Sequence, residues 1–107
     1  MDFKELSSNL GIDEEDFIEL VELLIDTTQD DIDKIKESLS NADAQGASMA
    51  AHSIKGASGN LGFMSLSESA KEMEMTAKEG NLDNFEPLLA KTEEELQSVR
   101  DKLDQQN

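Results

Sequence analysis

The chain has 107 residues with 9 basic and 25 acidic side chains, a formal net charge of −16 at pH 7, which bounds it to one small domain over residues 1–107. That charge argues against nucleic acid, whose phosphate backbone is bound by Lys and Arg that displace counterions, and equally against an anionic membrane surface. With no Cys and a single His there is no disulfide framework, thiolate nucleophile or zinc ribbon, and no apolar run long enough for a secretory or membrane segment, so a cytoplasmic location is expected.

High charge with few aromatics is the composition of disordered chains, and Leu, Ile, Val and Phe stand only a little above the roughly 20% below which disorder is expected. Periodicity decides for a folded chain. Phe3, Leu6 and Leu10 predict a short amphipathic helix ending at Gly11. Asp13 is suited to cap the next helix, with acidic residues in its first turn and Ile12 placed to staple onto Phe17. Phe17, Val21, Leu24, Thr28, Ile32, Ile35 and Leu39 then recur at helical spacing to about residue 40. Leu23 falls about 200° from Val21, off that stripe.

Asp43 can cap a helix running to about Gly62, a plausible left-handed terminus. Ser65-Leu66-Ser67-Glu68 has capping-box spacing and opens another helix, with Leu66, Ala70, Met73 and Ala77 inward and Gly80 beyond its end. Asp83-Asn84-Phe85-Glu86 opens the last, with Phe85, Leu89, Thr92, Leu96, Val99 and Leu103 as its stripe and Pro87 in the first turn or just beyond. No segment alternates with period two long enough for a strand. Connections of roughly two to five residues leave no room for crossovers. The expected fold is all-α, an antiparallel up-down-up-down four-helix bundle with a short N-terminal helix.

Projected at about 100° per residue, the third predicted helix turns Ala47, Ala50, Ile54, Ala57 and Leu61 inward and His52 outward. Gln45, Ser48, Met49, Lys55, Gly56 and Gly59 fall on the His52 side, while Ser48 and Ser58 read as structural. Two mid-helix glycines each cost about 1 kcal/mol relative to Ala. Placed one and two turns after His52, Gly56 and Gly59 would clear the imidazole for a second molecule, and Lys55 at i+3 could neutralise an anion on the ring. An exposed His with a cation beside it, and no carboxylate orienter, Ser or Cys, is ill equipped as a hydrolytic base. It is well equipped as a nucleophile toward phosphorus, since neutral imidazole is populated near pH 7.

The run Ala51-His52-Ser53-Ile54-Lys55-Gly56-Ala57-Ser58-Gly59-Asn60-Leu61-Gly62 resembles the signature of histidine-containing phosphotransfer (HPt) domains of multistep phosphorelays. The likeness extends along the chain, with an Asp-bearing helix before the His helix and Leu-x-x-x-Ala-x-x-Met-Glu at Leu66 to Glu74. It implies that His52 carries the phosphoryl group, Lys55 assists and Gly56 keeps the site open. The implied partners are response-regulator receiver domains, a hybrid histidine kinase, or both, met by a monomer that is a phosphotransfer intermediate rather than an enzyme.

No cofactor is expected on the chain, and Mg²⁺ is expected on the partner receiver, because no constellation of acids surrounds His52 to hold it. A di-metal bundle would need inward Glu-x-x-His motifs, and the one His has Met49 three residues before it. Met49, Met64, Met73 and Met75 form no metal box; Met73 is core by spacing. Met49, Gly59, Phe63 and Leu23 are the candidate docking residues, with Phe63 aligned near His52 if the helix extends that far. Leu23 could instead be buried under the N-terminal helix. Two other readings stand beside the phosphocarrier: a phosphoacceptor domain of a chemotaxis-type histidine kinase, which attachment to an ATP-binding domain would reveal, and a non-catalytic helical adaptor packing through its glycine face.

Overall fold

The computed structural model describes residues 2–106, so the ends of the predicted 1–107 domain lie outside the described residues. The chain forms α1 (Phe3–Leu10), α2 (Glu14–Ser40), α3 (Ala44–Leu61), α4 (Met64–Lys78) and α5 (Phe85–Asp104), with no strand among the described residues. α2 packs on α3 and α5, α4 packs on α3 and α5, and α1 lies on α2. The molecule measures 42 × 21 × 17 Å, its long axis matching the ~40 Å of a 27-residue helix rising 1.5 Å per residue. No described helix is long and apolar enough to cross a membrane.

The core follows the predicted stripes. Phe17, Val21, Leu24, Thr28, Ile32 and Ile35 of α2 are buried against Ala47, Ala50 and Ile54 of α3, Leu66, Ala70, Met73 and Ala77 of α4, and Phe85, Leu89, Thr92, Leu96 and Val99 of α5. Leu39, Ala57, Leu61 and Leu103 pack against its edge. Exposed faces of α2 and α5 are tied by Arg100 donating to Gln29 at 2.9 Å and Lys36 pairing with Glu93 at 3.3 Å.

Helix ends divide by mechanism. Asp43 accepts from the Gly46 N–H at 2.9 Å, and Gly11, Gly62 and Gly80 all adopt positive φ, as expected of left-handed termini. Asp13 has extended backbone but makes no side-chain cap. The capping box at Ser65 does not form; the N-cap falls two residues earlier, at Phe63, with no side-chain cap bond. Chain tightness explains this: only Gly62 and Phe63 separate α3 from α4.

That turn also relocates Phe63. α3 stops at Leu61 and Gly62 turns left-handed at φ 91°, so Phe63 leaves the helical projection that would have aligned it with His52. It is buried at 7% exposure, its ring 5.9 Å from Phe3 and 6.2 Å from Phe17. Its assignment to the docking surface is therefore corrected: Phe63 is a core residue that anchors α1. The alternative reading of Leu23 as buried beneath α1 is corrected too, since Leu23 is 59% exposed. α1 buries Phe3 and Leu6 and leaves Leu10 largely in solvent.

Leu23→Ala should accordingly shift stability by no more than about 0.5 kcal/mol, the usual bound for surface changes, where a buried Leu→Ala costs about 2–5 kcal/mol. A denaturant midpoint that stays in place is the expected result, and one that falls sharply would put Leu23 back in the core.

Candidate functional site

α3 is built from small residues, Ala, Gly and Ser, which let it lie in close contact with α2 on one side and α4 on the other. His52 sits near its middle with 65% of its side chain exposed. Across the narrow gap stands Glu74 of α4, 5% exposed. His52 Nδ1 lies 2.8 Å from Glu74 Oε2, Lys55 Nζ donates to Glu74 Oε1 at 2.7 Å, and Lys78 Nζ approaches Oε2 at 3.3 Å.

The Lys55 hydrogen bond, with those of His52 and Lys78, outweighs the opposing effect of burial and holds the Glu74 carboxyl down from 4.5 to about 2. At neutral pH the carboxylate is therefore ionised and can only accept. The atom facing it, Nδ1, must be the protonated nitrogen. In the neutral ring this leaves Nε2 with its lone pair free, and the exposure of the side chain turns that lone pair toward solvent.

Glu74 corrects the expectation that His52 lacks a carboxylate orienter. In the sequence Glu74 only closes the Leu66 to Glu74 pattern, with no role attached to it, and Lys78 lies beyond that pattern. A register argument would have found it. With a two-residue turn at Gly62 and Phe63, residues about equally far from it on α3 and α4 stand at one height, and His52 and Glu74 are ten and eleven residues from its two members.

The two glycines have different jobs. A Cβ on Gly56 would meet nothing within 4 Å, so the space over that turn of α3 is open. A Cβ on Gly59 would stand 3.2 Å from Ser67 Oγ of α4, whose hydroxyl donates to the Lys55 carbonyl at 2.9 Å. Gly59, half-buried, is thus where α4 comes close. Ser48, also expected outward, is 8% exposed, and Ser58 is fully buried, donating to the Ile54 carbonyl at 2.6 Å. The two-face projection erred because α3 has neighbours on two sides, which widens its buried arc. Met49, one turn before His52, is 66% exposed and forms a ridge between a groove toward α2 and a groove toward α4.

Among the described residues no three His, Cys, Asp or Glu side chains converge as a metal site.

Because the Glu74 carboxyl is depressed in the folded chain, its stabilising contribution is fully present above about pH 4.5 and is lost as pH falls toward about 2. In Glu74→Gln that part of the acid limb should vanish. Acid titrations of both proteins, followed by helical circular dichroism, should differ mainly between those two pH values and run parallel above them.

The chain matches the Hpt domain family over residues 19–102, which spans most of α2 and reaches nearly to the end of α5. It belongs to that family, and it is a histidine phosphocarrier of a phosphorelay. The fold is similar to the crystal structure of histidine-containing phosphotransfer protein B (HptB) from Pseudomonas aeruginosa PAO1, with a TM-score of 0.86 and 29% identity, covering 94% of this chain and 88% of that one. No curated protein matches the chain at a significant level. Members of the family interact with receiver domains and histidine kinases.

Proposed function

We propose that His52 is the phosphoryl-carrying residue, that Nε2 is the atom modified, and that the chain shuttles the group between receiver aspartates as an intermediate rather than an enzyme. The observation that carries this reading is the 2.8 Å contact between Nδ1 of the chain's one histidine and the buried Glu74 carboxylate. It fixes the ring with its free lone pair outward, toward the space that Gly56 leaves open.

In the transfer, Nε2 attacks the phosphorus of an aspartyl phosphate in line. The P–N bond forms as the P–O bond to the aspartyl carboxylate breaks, and that carboxylate departs with the bonding pair. The ring keeps its Nδ1 proton and becomes cationic, and Glu74 stands ready to offset that charge. Lys55 Nζ, one helical turn from His52, offsets charge on the phosphoryl oxygens. Mg²⁺ comes with the receiver, because Glu74, the carboxylate paired with His52, is already engaged by three donors. Return to an aspartate reverses each bond change.

The same reading places the chain in the cytoplasm as a monomeric single domain. Its helices follow one another up and down in an antiparallel bundle, which the short connections and the α2–α3–α4–α5 neighbour relations support. Met49 and Leu23, both exposed, are the apolar docking residues.

Gly56→Leu separates fold from transfer. Replacing a mid-helix Gly with a good helix former stabilises by up to about 1 kcal/mol, and a Cβ there meets no neighbour. The longer side chain should slow transfer from a receiver at least tenfold, measured in single-turnover labelling, while thermal stability holds or rises.

Incubation with a panel of phosphorylated receiver domains tests the function itself. At least one should pass an acid-labile, base-stable phosphoryl group to the wild-type chain. Failure of every receiver to do so, with the chain folded, would overturn the shuttle reading.

A further inference from the structure

Two ammonium groups serve one carboxylate beside His52. Lys55 of α3 donates to Glu74 Oε1 at 2.7 Å, and Lys78 of α4 stands 3.3 Å from Oε2, the oxygen that also faces His52 Nδ1 at 2.8 Å. Glu74 is 5% exposed, and a buried carboxylate needs a cation or hydrogen bonds in place of the water it has lost. In the resting chain Lys55 and the Nδ1–H already supply both. No step of the transfer as described above uses Lys78.

The two lysines differ in where they are rooted. Lys55 shares α3 with His52, one turn on, and its side chain is 32% exposed; Lys78 shares α4 with Glu74, also one turn on, and its side chain is 66% exposed. An acid followed four residues later by a lysine is the favourable order for such a pair on a helix, so Lys78 accompanies Glu74 whatever happens on α3. It reaches the carboxylate from the side of Ser48 and Met49, which precede His52 in α3, whereas Lys55 comes from the turn after. One can therefore leave without displacing the other. Transfer makes a demand on this arrangement. A phosphoryl group on Nε2 brings negative charge, and Lys55 meets its oxygens by loosening its hold on Oε1. Unaided, that move would take the close cation from a buried carboxylate, the costly way to break a buried ion pair.

We infer that Lys78 is a positioning residue for the transfer: as Lys55 moves from Glu74 to the phosphoryl oxygens, Lys78 closes on the carboxylate and keeps it paired, so that Glu74 goes on holding the Nδ1 proton of His52. This rests on the reading of His52 as the phosphoryl-carrying residue. Each lysine then serves the anion on its own helix, and no buried charge is left alone during the exchange. Lys78 does not touch the phosphoryl group. Its effect on the rate passes through Glu74 and Lys55.

The first arm of the test needs no phosphoryl group. In thermal melts at about pH 8, where an ordinary imidazole is neutral, Lys78→Ala should lower the melting temperature by about 4 °C more in a Lys55→Ala chain than in the wild-type chain, because there Lys78 is the last ammonium on Glu74. Equal changes in the two backgrounds would overturn the proposal. The second arm labels His52 with phosphoramidate, a small donor that needs no docking: Nε2 takes the phosphoryl group as the donor's P–N bond breaks and ammonia leaves with the bonding pair. Lys78→Ala should slow this labelling about threefold or more, Lys78→Arg should restore it, and in a Glu74→Gln chain Lys78→Ala should change nothing. A merely structural lysine would give no such dependence on Glu74. A slowing that persists in the Glu74→Gln chain would put Lys78 on the phosphoryl group itself and overturn the positioning role, as would no slowing in the wild-type background. Should neither phosphoramidate nor any receiver label the wild-type chain, the carrier reading fails, and the melts still decide whether Lys78 takes over at Glu74.

Discussion

His52→Gln is expected to abolish phosphoryl acceptance entirely while leaving the fold in place. The loss is complete because the chain has one histidine, and no other side chain offers a nitrogen with a free lone pair beside Lys55 and an open glycine face. The fold survives because most of the imidazole is exposed and a Gln amide can donate to Glu74 in place of Nδ1–H. Losing part of one charge-assisted hydrogen bond should cost no more than about 1 kcal/mol. Labelling by a phosphorylated receiver and a thermal melt check the two halves. Labelling at an undiminished rate would remove His52 from the site, and loss of the fold would make it a structural residue.

Phe63→Ala should do the reverse. The Phe63 ring closes a three-ring cluster, with Phe3 and Phe17 5.3 Å apart in edge-to-face contact and Phe63 about as close to both. Deleting a buried Phe side chain costs about 3–5 kcal/mol, and in a domain of this size each kcal/mol moves the melting temperature by roughly 4–8 °C. A fall of ten degrees or more is expected, with α1 the first element to lose protection in amide exchange, since Phe3 is its main anchor. Measured at a temperature where the variant is folded, transfer to His52 should proceed at the wild-type rate. An unchanged melting temperature with weakened receiver binding would restore Phe63 to the docking surface.

The contrast between these residues shows what was legible in the chain. Stripes such as Phe17 to Ile35 and Phe85 to Val99 announce themselves because burial on one helix face repeats every 3.6 residues, and the helices they define form where expected. His52, Lys55 and Gly56 were legible because one short run on one helix holds all three. What escaped depends on relations between helices. Glu74 becomes part of the site only through the register set by the Gly62-Phe63 turn. Gly59 and Ser48 look outward on an isolated helix, yet α4 lies against that side of α3, half-burying the first and burying the second. Phe63 misled because extending a helical projection past a left-handed glycine assigns a direction the backbone has already left. Local capping was legible where side chain and turn agreed, at Asp43, and failed at Ser65, where a two-residue connection set the start of α4 before the capping box could.

The central claim is that Glu74 holds the Nδ1 proton so that Nε2 of His52 takes the phosphoryl group. Nitrogen and phosphorus NMR of the chain with ¹⁵N-labelled imidazole, phosphorylated by a receiver, reads this directly. The account predicts phosphorus coupling to Nε2 together with a proton retained on Nδ1, and in Glu74→Gln a slower rate of labelling at the same nitrogen. Phosphorus coupled to Nδ1, or a phosphoryl group on any residue other than His52, would contradict it.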